Sequence, residues 1–293
     1  MSQTLLKKIK KEKVSYFFLL PTFIIYTLFF IYPLIKAVSY SFCEYVGRSF
    51  VYTGLENYIS LFQSKVFIKT IVNTCLLSLG AVPIVLISSI LIANYIVKKR
   101  RKVRSFLMAM FYLPGVTSIV TICIAWKWIY HSKGILNHII NLAGIEGTNW
   151  LGNPSTALAS VMVVLIYICI GYPVILFTAA IGNIPLSLYE VAEIEGATDW
   201  QKLWYITLPL IKPTTFYMVV ILTISSFRAF IYVILLTGGG PYYSSSVIAS
   251  YLADVAFQYS KFGLASAIGV ILLLIIAILT VIQYRFFRGE VEY

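Results

Sequence analysis

The sequence predicts an all-α fold, a polytopic membrane protein with six transmembrane helices and one helix-turn-helix segment outside the bilayer. Three observations lead to this prediction. Of the 293 residues, 60% are hydrophobic and only 12% are charged, which leaves more apolar surface than one soluble core can bury. The apolar residues form long runs, and short clusters of Lys and Arg lie beside those runs. Together these features indicate a chain whose solvent is largely lipid.

Six apolar runs are each long enough to cross a bilayer, which takes about 20 residues of helix. The first run follows a lysine cluster, as in a signal peptide, but it is too long for one and no small-residue cleavage site follows it. We therefore expect it to remain as a span. No low-complexity linker divides the chain, so residues 1–293 are treated as a single transmembrane domain. The predicted spans cover about residues 16–42, 67–97, 105–128, 156–181, 214–236 and 262–287.

Positive charge predicts the orientation of these spans. The densest basic cluster runs from Lys98 to Arg104, and cytoplasmic loops carry the excess of Lys and Arg. With this cluster, the whole loop between the fourth and fifth spans and both termini in the cytoplasm, fifteen Lys and Arg lie on that side and about six on the other. Because the basic residues do not line one polar face, the net charge of +12 gives no reason to expect nucleic acid as a partner.

The segment 185–209 is the long polar interval of the second half with an ordered pattern of charge, glycine and apolar residues. Ser187 has a glutamate three residues later, and Thr198 has a glutamine at the same spacing. Both pairs have the spacing of a capping box, which marks a helix start. Gly196, between them, suits a left-handed helix end, and Pro209 is expected to end the second helix. The pattern predicts a helix, a turn and a helix.

Six residues of this segment also match a known motif. They are Glu190, Ala192, Gly196, Ile206, Leu208 and Pro209. Their spacing, E-A-A, three residues, G, nine residues and I-x-L-P, resembles the EAA loop in the membrane subunits of binding-protein-dependent ABC importers. Only the second position departs, with Val191 in place of alanine. By this resemblance the chain is identified as a permease subunit of such an importer.

Other runs of the sequence are similar to the carbohydrate-uptake branch of that family. They include IP-x-x-LYE and EGATDWQKLW in the segment 185–209, and TGGGP at Thr237–Pro241. The last is typical of permeases that resemble the maltose F or glycerol-phosphate A subunit and pair with a second, homologous permease. The resemblance implies import of a di- or oligosaccharide. The alternatives are an acidic or phosphorylated sugar derivative, or a secondary transporter, which would have inverted repeats and no use for a docking loop.

The resemblance also implies the other partners. Two ATPase subunits would bind ATP and Mg²⁺; this chain has no G-x-x-x-x-G-K-[ST] phosphate loop, so we expect neither a cofactor nor enzyme activity on it. An extracellular or periplasmic binding protein would deliver the sugar to spans in the lipid bilayer of the bacterial plasma (inner) membrane, and ATP would drive alternating access. The coupling residues implied are Leu188, Glu190, Val191, Ala192, Gly196, Trp200, Leu203, Ile206, Leu208 and Pro209.

Two roles within this coupling set follow from the resemblance. Leu188, Trp200 and Leu203 would form an apolar face that docks in a groove of the ATPase. Glu190 would meet a basic residue of that groove or, in the alternative, would only cap its own helix through Ser187.

Polar and aromatic side chains within the fourth and fifth spans are candidates for the solute path. Hydroxyls and aromatic faces suit a sugar, although serines also serve helix packing and tyrosines belong to membrane interfaces. Arg228 would bind the solute, pair with an acid such as Asp254 or one on the partner permease, or extend to the outer surface. The Cys and His spacings predict no metal site. The candidates are Tyr167, Tyr172, Ser225, Ser226, Arg228, Phe230 and Tyr232.

Overall fold

The computed structural model describes residues 13–47 and 49–287, with side chains from residue 17 onward. Within these residues the fold is helical apart from one antiparallel hairpin, Cys43–Val46 (β1) with Ser49–Tyr52 (β2), which the all-α prediction did not include. The basic residues that the orientation argument took from the two ends of the chain, Lys7, Lys8, Lys10, Lys11 and Arg288, lie outside the described residues.

The helices are numbered here in chain order. In the first half they are α1 (Lys13–Tyr26, continued by a π-helical turn at Thr27–Ile31 and by Tyr32–Tyr40), α2 (Glu56–Gln63), α3 (Lys65–Val97), α4 (Arg101–Val116), α5 (Ile119–Tyr130) and α6 (Ile135–Leu142). In the second half they are α7 (Ala157–Cys169), α8 (Gly171–Gly182), α9 (Leu186–Ile194), α10 (Asp199–Lys202, Leu203–Thr207 and Leu208–Leu210 in one run), α11 (Lys212–Phe227), α12 (Phe230–Leu236), α13 (Ile248–Ala253, continued by Asp254–Gln258) and α14 (Phe262–Phe287).

The described residues hold up to six spans, in agreement with the predicted number. Three helices are long and apolar enough to cross a bilayer unbroken, namely α1 from Phe17, α3 and α14. The other three candidates are bent pairs: α4 with residues 119–142 at 94°, α7 with α8 at 43°, and α10 with α11 at 73°. The predicted third and fourth spans are therefore broken helices. The predicted fifth span, 214–236, is also interrupted, at Arg228 and Ala229 between α11 and α12.

Proline accounts for two of these bends, because it has no N–H to donate and its ring meets the carbonyl of the residue four positions earlier. Pro173 lies in the first turn of α8 and Pro213 at the start of α11, each just after a bend. Pro114 lies within α4, before the bend at residues 117–118, and does not explain that bend in this way. The interruption at Arg228 has no proline beside it and has no such explanation.

Helix α3 is the centre of the fold and packs against α7, α8 and α11. Each of the three buried hydrophobic clusters contains part of it: Phe67 near its start, Leu77 in its middle and Val85 towards its end. The cluster around Val85 lies nearest the basic end of α3 and also includes Leu203 of the segment 185–209. In contrast, the most apolar stretch of α1 has no buried residue.

Helices α4 and α8 approach each other closely at Gly171. A β-carbon at this position would collide with the backbone carbonyl oxygen of Phe111. Glycine is thus required there for the backbones to meet. Gly115, on the same helix as Phe111, is less constrained, because a β-carbon there would lie 3.6 Å from the carbonyl oxygen of Ile168.

We expect Gly171→Ala to lower the free energy of unfolding by about 1–3 kcal/mol, because the added methyl group must push α4 and α8 apart. Gly115→Ala is the matched control and should be close to neutral, since its new contact is an ordinary one. Melting temperatures of the two purified variants in one detergent provide the measurement. A Gly171→Ala variant as stable as the unmodified protein would contradict this packing.

Candidate functional site

The turn within the segment 185–209 has the predicted glycine geometry. Gly196 has φ of +77°. Its N–H donates to the carbonyl of Glu193 at 3.0 Å, and the N–H of Ala197 donates to the carbonyl of Ala192 at 2.8 Å. These two bonds form a Schellman motif, which ends α9 and reverses the chain into α10. A β-carbon at Gly196 would meet no atom within 4 Å, so the positive φ is the constraint that favours glycine.

The two helix starts differ from each other. At α10, Thr198 and Gln201 form the predicted capping box: Thr198 Oγ1 accepts from the Gln201 N–H at 3.3 Å, and Gln201 Oε1 accepts from the Thr198 N–H at 2.8 Å. At α9 the prediction was wrong, because the helix begins directly after Pro185 and no side chain caps it. A proline already has the φ of a helix start. Ser187 lies inside α9, so Glu190 does not cap the helix with it.

The second helix ends at Leu210, one residue after the predicted end at Pro209. The helical run continues through Leu210 and bends at Ile211, which is buried. The π-helical turn Leu203–Thr207 just before the proline explains this, since its hydrogen bonds already reach back five residues rather than four. A proline removes a hydrogen bond to the carbonyl four residues earlier, and this stretch does not need that bond.

Leu203 attaches the loop to the spans. Its side chain is 5% exposed and packs in the cluster that includes Val85, Phe177 and Ile181. Leu203 was predicted to lie on the docking face, and this prediction was wrong because the side chain points into the protein. A hydrogen bond of 2.8 Å between the hydroxyls of Tyr189 and Thr207 ties α9 to α10 on the same segment.

Two ion pairs hold the polar side of the loop. Lys98, at the end of α3, lies 3.0 Å from Asp199, and Lys202 lies 3.2 Å from Glu193. The hydrogen bond and charge of Lys98 lower the pKa of Asp199. Because the folded-state pKa lies below the ordinary value, the contribution of this pair is complete at pH above that ordinary value. It is lost only as the pH falls through the lowered pKa.

Several large apolar side chains of the loop are exposed. Ile194 is 85% exposed and Trp200 is 60% exposed, and the rings of Trp200 and Trp204 lie edge to face at 5.8 Å. The exposed apolar set, as we name it, consists of Leu188, Val191, Ile194, Trp200, Trp204 and Tyr205. Sequence reasoning included Leu188, Val191 and Trp200 but missed the other three as surface residues. The i, i+4 spacing of the two tryptophans was the available signal.

The remaining coupling candidates lie around this set. Glu190 is exposed, and its side chain makes no hydrogen bond or ion pair within residues 17–47 and 49–287. Ala192, Ile206 and Leu208 are half-buried, as expected of residues that pack between the loop and the rest of the protein. Pro209 is exposed.

The solute-path candidates do not form one cluster. The hydroxyls of Tyr172 and Tyr217 lie 3.3 Å apart, across α8 and α11, and both side chains are exposed. Tyr167 is exposed and packs edge to face on Trp126 at 5.5 Å. Tyr217 was missed by sequence reasoning, since nothing local distinguishes it from an interfacial tyrosine.

The candidates from 225 to 232 fall into two groups. Ser226 is buried and donates to Ser78 Oγ at 2.8 Å, so its hydroxyl belongs to the contact between α11 and α3 and not to a solute path. Ser225 and Tyr232 are half-buried, and Tyr232 packs against the inner cluster. Phe230 is exposed beside Arg228.

Arg228 lies in the interruption between α11 and α12, and its side chain is exposed. Its side chain makes no hydrogen bond or ion pair with any described residue. The suggested pair with Asp254 is not formed, and Asp254 accepts instead from Gln258 Nε2 at 2.9 Å. A charge at this depth of a span needs water, an anion or a partner. The described contacts are therefore compatible with an arginine that binds the solute, pairs with an acid of a second permease or extends to the outer surface.

The opposite burial of two leucines in the loop gives a direct test. We expect Leu203→Ala to cost about 2–5 kcal/mol of unfolding free energy, because it opens a cavity in the cluster around Val85. Leu188→Ala, which removes the same atoms from a side chain that is 44% exposed, should change it by less than about 0.5 kcal/mol. Melting temperatures of the two variants provide the measurement. An equal loss of stability in both variants would show that the buried and exposed faces of the loop are assigned wrongly.

Comparisons with known proteins agree with this geometry. Residues 14–290 match the family "Binding-protein-dependent transport system inner membrane component". The probable ABC transporter permease protein YurN of Bacillus subtilis (strain 168) is 32% identical over 285 residues, which covers 95% of this chain and 97% of YurN. The sulfoquinovosyl glycerol transport system permease protein SmoG of Agrobacterium fabrum is 29% identical over 278 residues, which covers 93% of this chain and 89% of SmoG.

A solved structure has the same fold. A chain in the crystal structure of a bacterial ABC transporter involved in the import of the acidic polysaccharide alginate superposes with a TM-score of 0.85 and 28% sequence identity, over 99% of this chain and 100% of that chain. The resemblance first indicated by the EAA-like spacing thus extends over nearly the whole sequence. This chain belongs to the family of binding-protein-dependent transport system inner membrane components, the permeases of ABC transporters.

Proposed function

We propose that this chain is the permease subunit of a bacterial ABC importer for a di- or oligosaccharide, and that the segment 185–209 couples it to ATP hydrolysis on two partner ATPase subunits. The exposed apolar set is the observation that carries the proposal. A surface patch that contains two tryptophans, on a segment anchored to the spans by the buried Leu203, has the composition of a protein interface. The sugar is supported by the names of relatives, since SmoG and the alginate transporter both belong to carbohydrate systems.

The orientation of the loop has support that does not depend on the family. Lys98 belongs to the densest basic cluster of the chain and pairs with Asp199 of the loop. The loop and the basic cluster therefore lie at the same end of the spans, and such clusters are typical of the cytoplasmic side. We propose on this basis that the loop faces the cytoplasm, where an ATPase can reach it, and that both termini lie on the same side of the plasma (inner) membrane.

The other partners follow from what this chain does not itself provide. ATP and Mg²⁺ would be bound by the ATPase subunits, since the sequence contains no phosphate-loop motif. A second, homologous permease would complete the path, and the unburied apolar surface of α1 offers room for such a neighbour among the lipids. A sugar-binding protein outside the membrane would supply the solute.

The contacts of the loop suggest how movement passes into the membrane. A force applied to the exposed apolar set is transmitted through the loop to Leu203, which packs on α3, α8 and α11. The 73° bend at Ile211 joins the loop to α11, so rotation of α10 and tilting of α11 are mechanically linked. Closure of the ATPases on ATP would then favour one of two arrangements of the spans, which is the requirement for alternating access.

An acidic sugar derivative is the second candidate cargo. Arg228 favours it, because an exposed arginine without an acid partner among the described residues can bind a carboxylate or sulfonate through two parallel hydrogen bonds. Two of the similar proteins carry names that specify anionic sugars, namely alginate and a sulfoquinovosyl glycerol.

Docking is tested by Trp200→Ala. Removing an exposed aromatic anchor should weaken ATPase association by about 2 kcal/mol or more, roughly thirtyfold, while the melting temperature of the isolated permease stays the same. Trp128→Ala is the matched control, since Trp128 is 71% exposed but lies away from the loop. Co-purification of the ATPase subunits with a tagged permease is the measurement. Equal recovery from both variants would oppose the docking assignment.

The cargo is tested by Arg228→Gln in proteoliposomes with the cognate binding protein. For an anionic sugar, loss of a charged hydrogen bond of about 1.5–3 kcal/mol should raise the half-saturation for uptake at least tenfold, and Arg228→Lys should recover part of it. For a neutral sugar the change should be small. If the uptake kinetics are unchanged for every cargo tested, the remaining role for Arg228 is extension to the outer surface. If the variant transporter does not assemble, Arg228 pairs with an acid of the second permease.

A further inference from the structure

A cavity lies between the loop and the ends of the spans. Its volume is about 450 Å³, and it is lined by residues of α3, α4, α8, α9 and α10. Val97, Ile181 and Leu203 form an apolar part of the wall, and Leu203 and Ile181 are buried. The docking proposal does not use this space, because the exposed apolar set lies on the surface of the loop. A cavity of this size can hold a small ligand or a lipid headgroup.

The polar lining of the cavity carries an uncompensated positive charge. Three cations and two carboxylates line it. Both carboxylates are already engaged, Asp199 with Lys98 and Glu193 with Lys202. These are the two ion pairs of the described residues, so the third cation, Arg104, has no carboxylate partner among them.

Arg104 has unused hydrogen-bonding capacity. Its Nη2 donates to the carbonyl oxygen of Thr178 at 3.2 Å, which fixes the position of the side chain, and the other N–H groups of the guanidinium make no hydrogen bond to a described residue. A guanidinium has five such donors in a planar fork. Gly182 makes room for it, because a β-carbon there would lie 3.1 Å from Nη2. The amide of Asn94, also in the lining, has no hydrogen-bond partner in the described chain.

This arrangement suits an oxyanion such as phosphate. A fixed guanidinium with free parallel donors fits phosphate bidentately, and the amide of Asn94 can add a further donor. The adjacent residues 98–102 are all Lys or Arg, and their field raises the local concentration of anions. Basic pockets between helices on the cytoplasmic side of a membrane also suit the headgroups of anionic lipids.

We propose that this cavity binds a phosphate group through Arg104, carried either by an anionic phospholipid or by a soluble phosphorylated compound. The inference rests on the proposed function only in placing the cavity on the cytoplasmic side. Both the spans and the loop contribute to its walls, and Lys202 of the loop lines the same cavity as Arg104 of α4, so an anion in it attracts side chains of both. Binding therefore favours the arrangement of the loop described here and opposes any motion that opens the cavity.

The test uses the assembled transporter in nanodiscs and reads the melting temperature of the permease. One arm compares phosphatidylcholine alone with phosphatidylcholine containing phosphatidylglycerol. The other arm titrates inorganic phosphate and glucose 6-phosphate into phosphatidylcholine nanodiscs. Stabilisation in the first arm identifies the lipid, and stabilisation in the second identifies a soluble ligand.

Two variants and a control locate the site. Arg104→Gln should lower the affinity for the stabilising ligand at least tenfold. Asn94→Asp leaves Arg104 and its bond to Thr178 intact but adds a negative charge to the lining. It should therefore lower the affinity of the same ligand, and it tests the site even if Arg104→Gln fails to fold. Arg101→Gln removes one positive charge from an exposed residue at the start of α4 that does not line the cavity, and it should retain the response.

The proposal is overturned if no probe raises the melting temperature, or if Arg101→Gln weakens the response as much as the cavity variants do, which would indicate unspecific attraction by the basic cluster. The binding measurement involves neither ATP hydrolysis nor uptake. A transporter that binds the probe but imports no sugar would refute the proposed function alone, and one that imports sugar without binding any probe would refute only this site.

Discussion

The burial of Leu203 is the contact on which the rest of the account depends. Its side chain is the point at which the extramembrane helices enter the core formed by α3, α8 and α11. Without it the loop would be held to the spans mainly by the half-buried Leu208 and by the exposed ion pair between Lys98 and Asp199, which contributes little by itself. With it, the loop has a fixed inner face and leaves its outer face for another protein.

The division of the loop into two faces also explains why its local geometry is so constrained. Gly196 reverses the chain in a left-handed conformation, and the capping box at Thr198 starts the second helix immediately afterwards. This short turn lets Trp200 remain at the surface while Leu203, three residues later, points inward. The bend at Ile211 then redirects the chain into the membrane. Local backbone rules thereby determine which side chains a partner can reach.

Several patterns that depend on local chemistry were predictable from the sequence, although the capping box predicted at Ser187 is not formed. Patterns that depend on packing were not predictable. The number of spans, the turn at Gly196 and the cap at Thr198 follow from composition and spacing alone. The bends at Pro173 and Pro213 could not be placed, because membrane helices tolerate proline and only neighbouring helices decide whether it kinks them. Leu203 was assigned to the wrong face for a similar reason, since the inner side of the loop is defined by where α3 and α8 end.

The most direct test of the central claim is photo-crosslinking from the loop in the assembled transporter. A photoreactive residue at Ile194, which is 85% exposed, should join this chain to an ATPase subunit. One at Tyr52 of the hairpin, which is also exposed and lies on the proposed outer side, should not. Crosslinking to the ATPase from Tyr52, or its absence from Ile194, would contradict both the docking surface and the orientation.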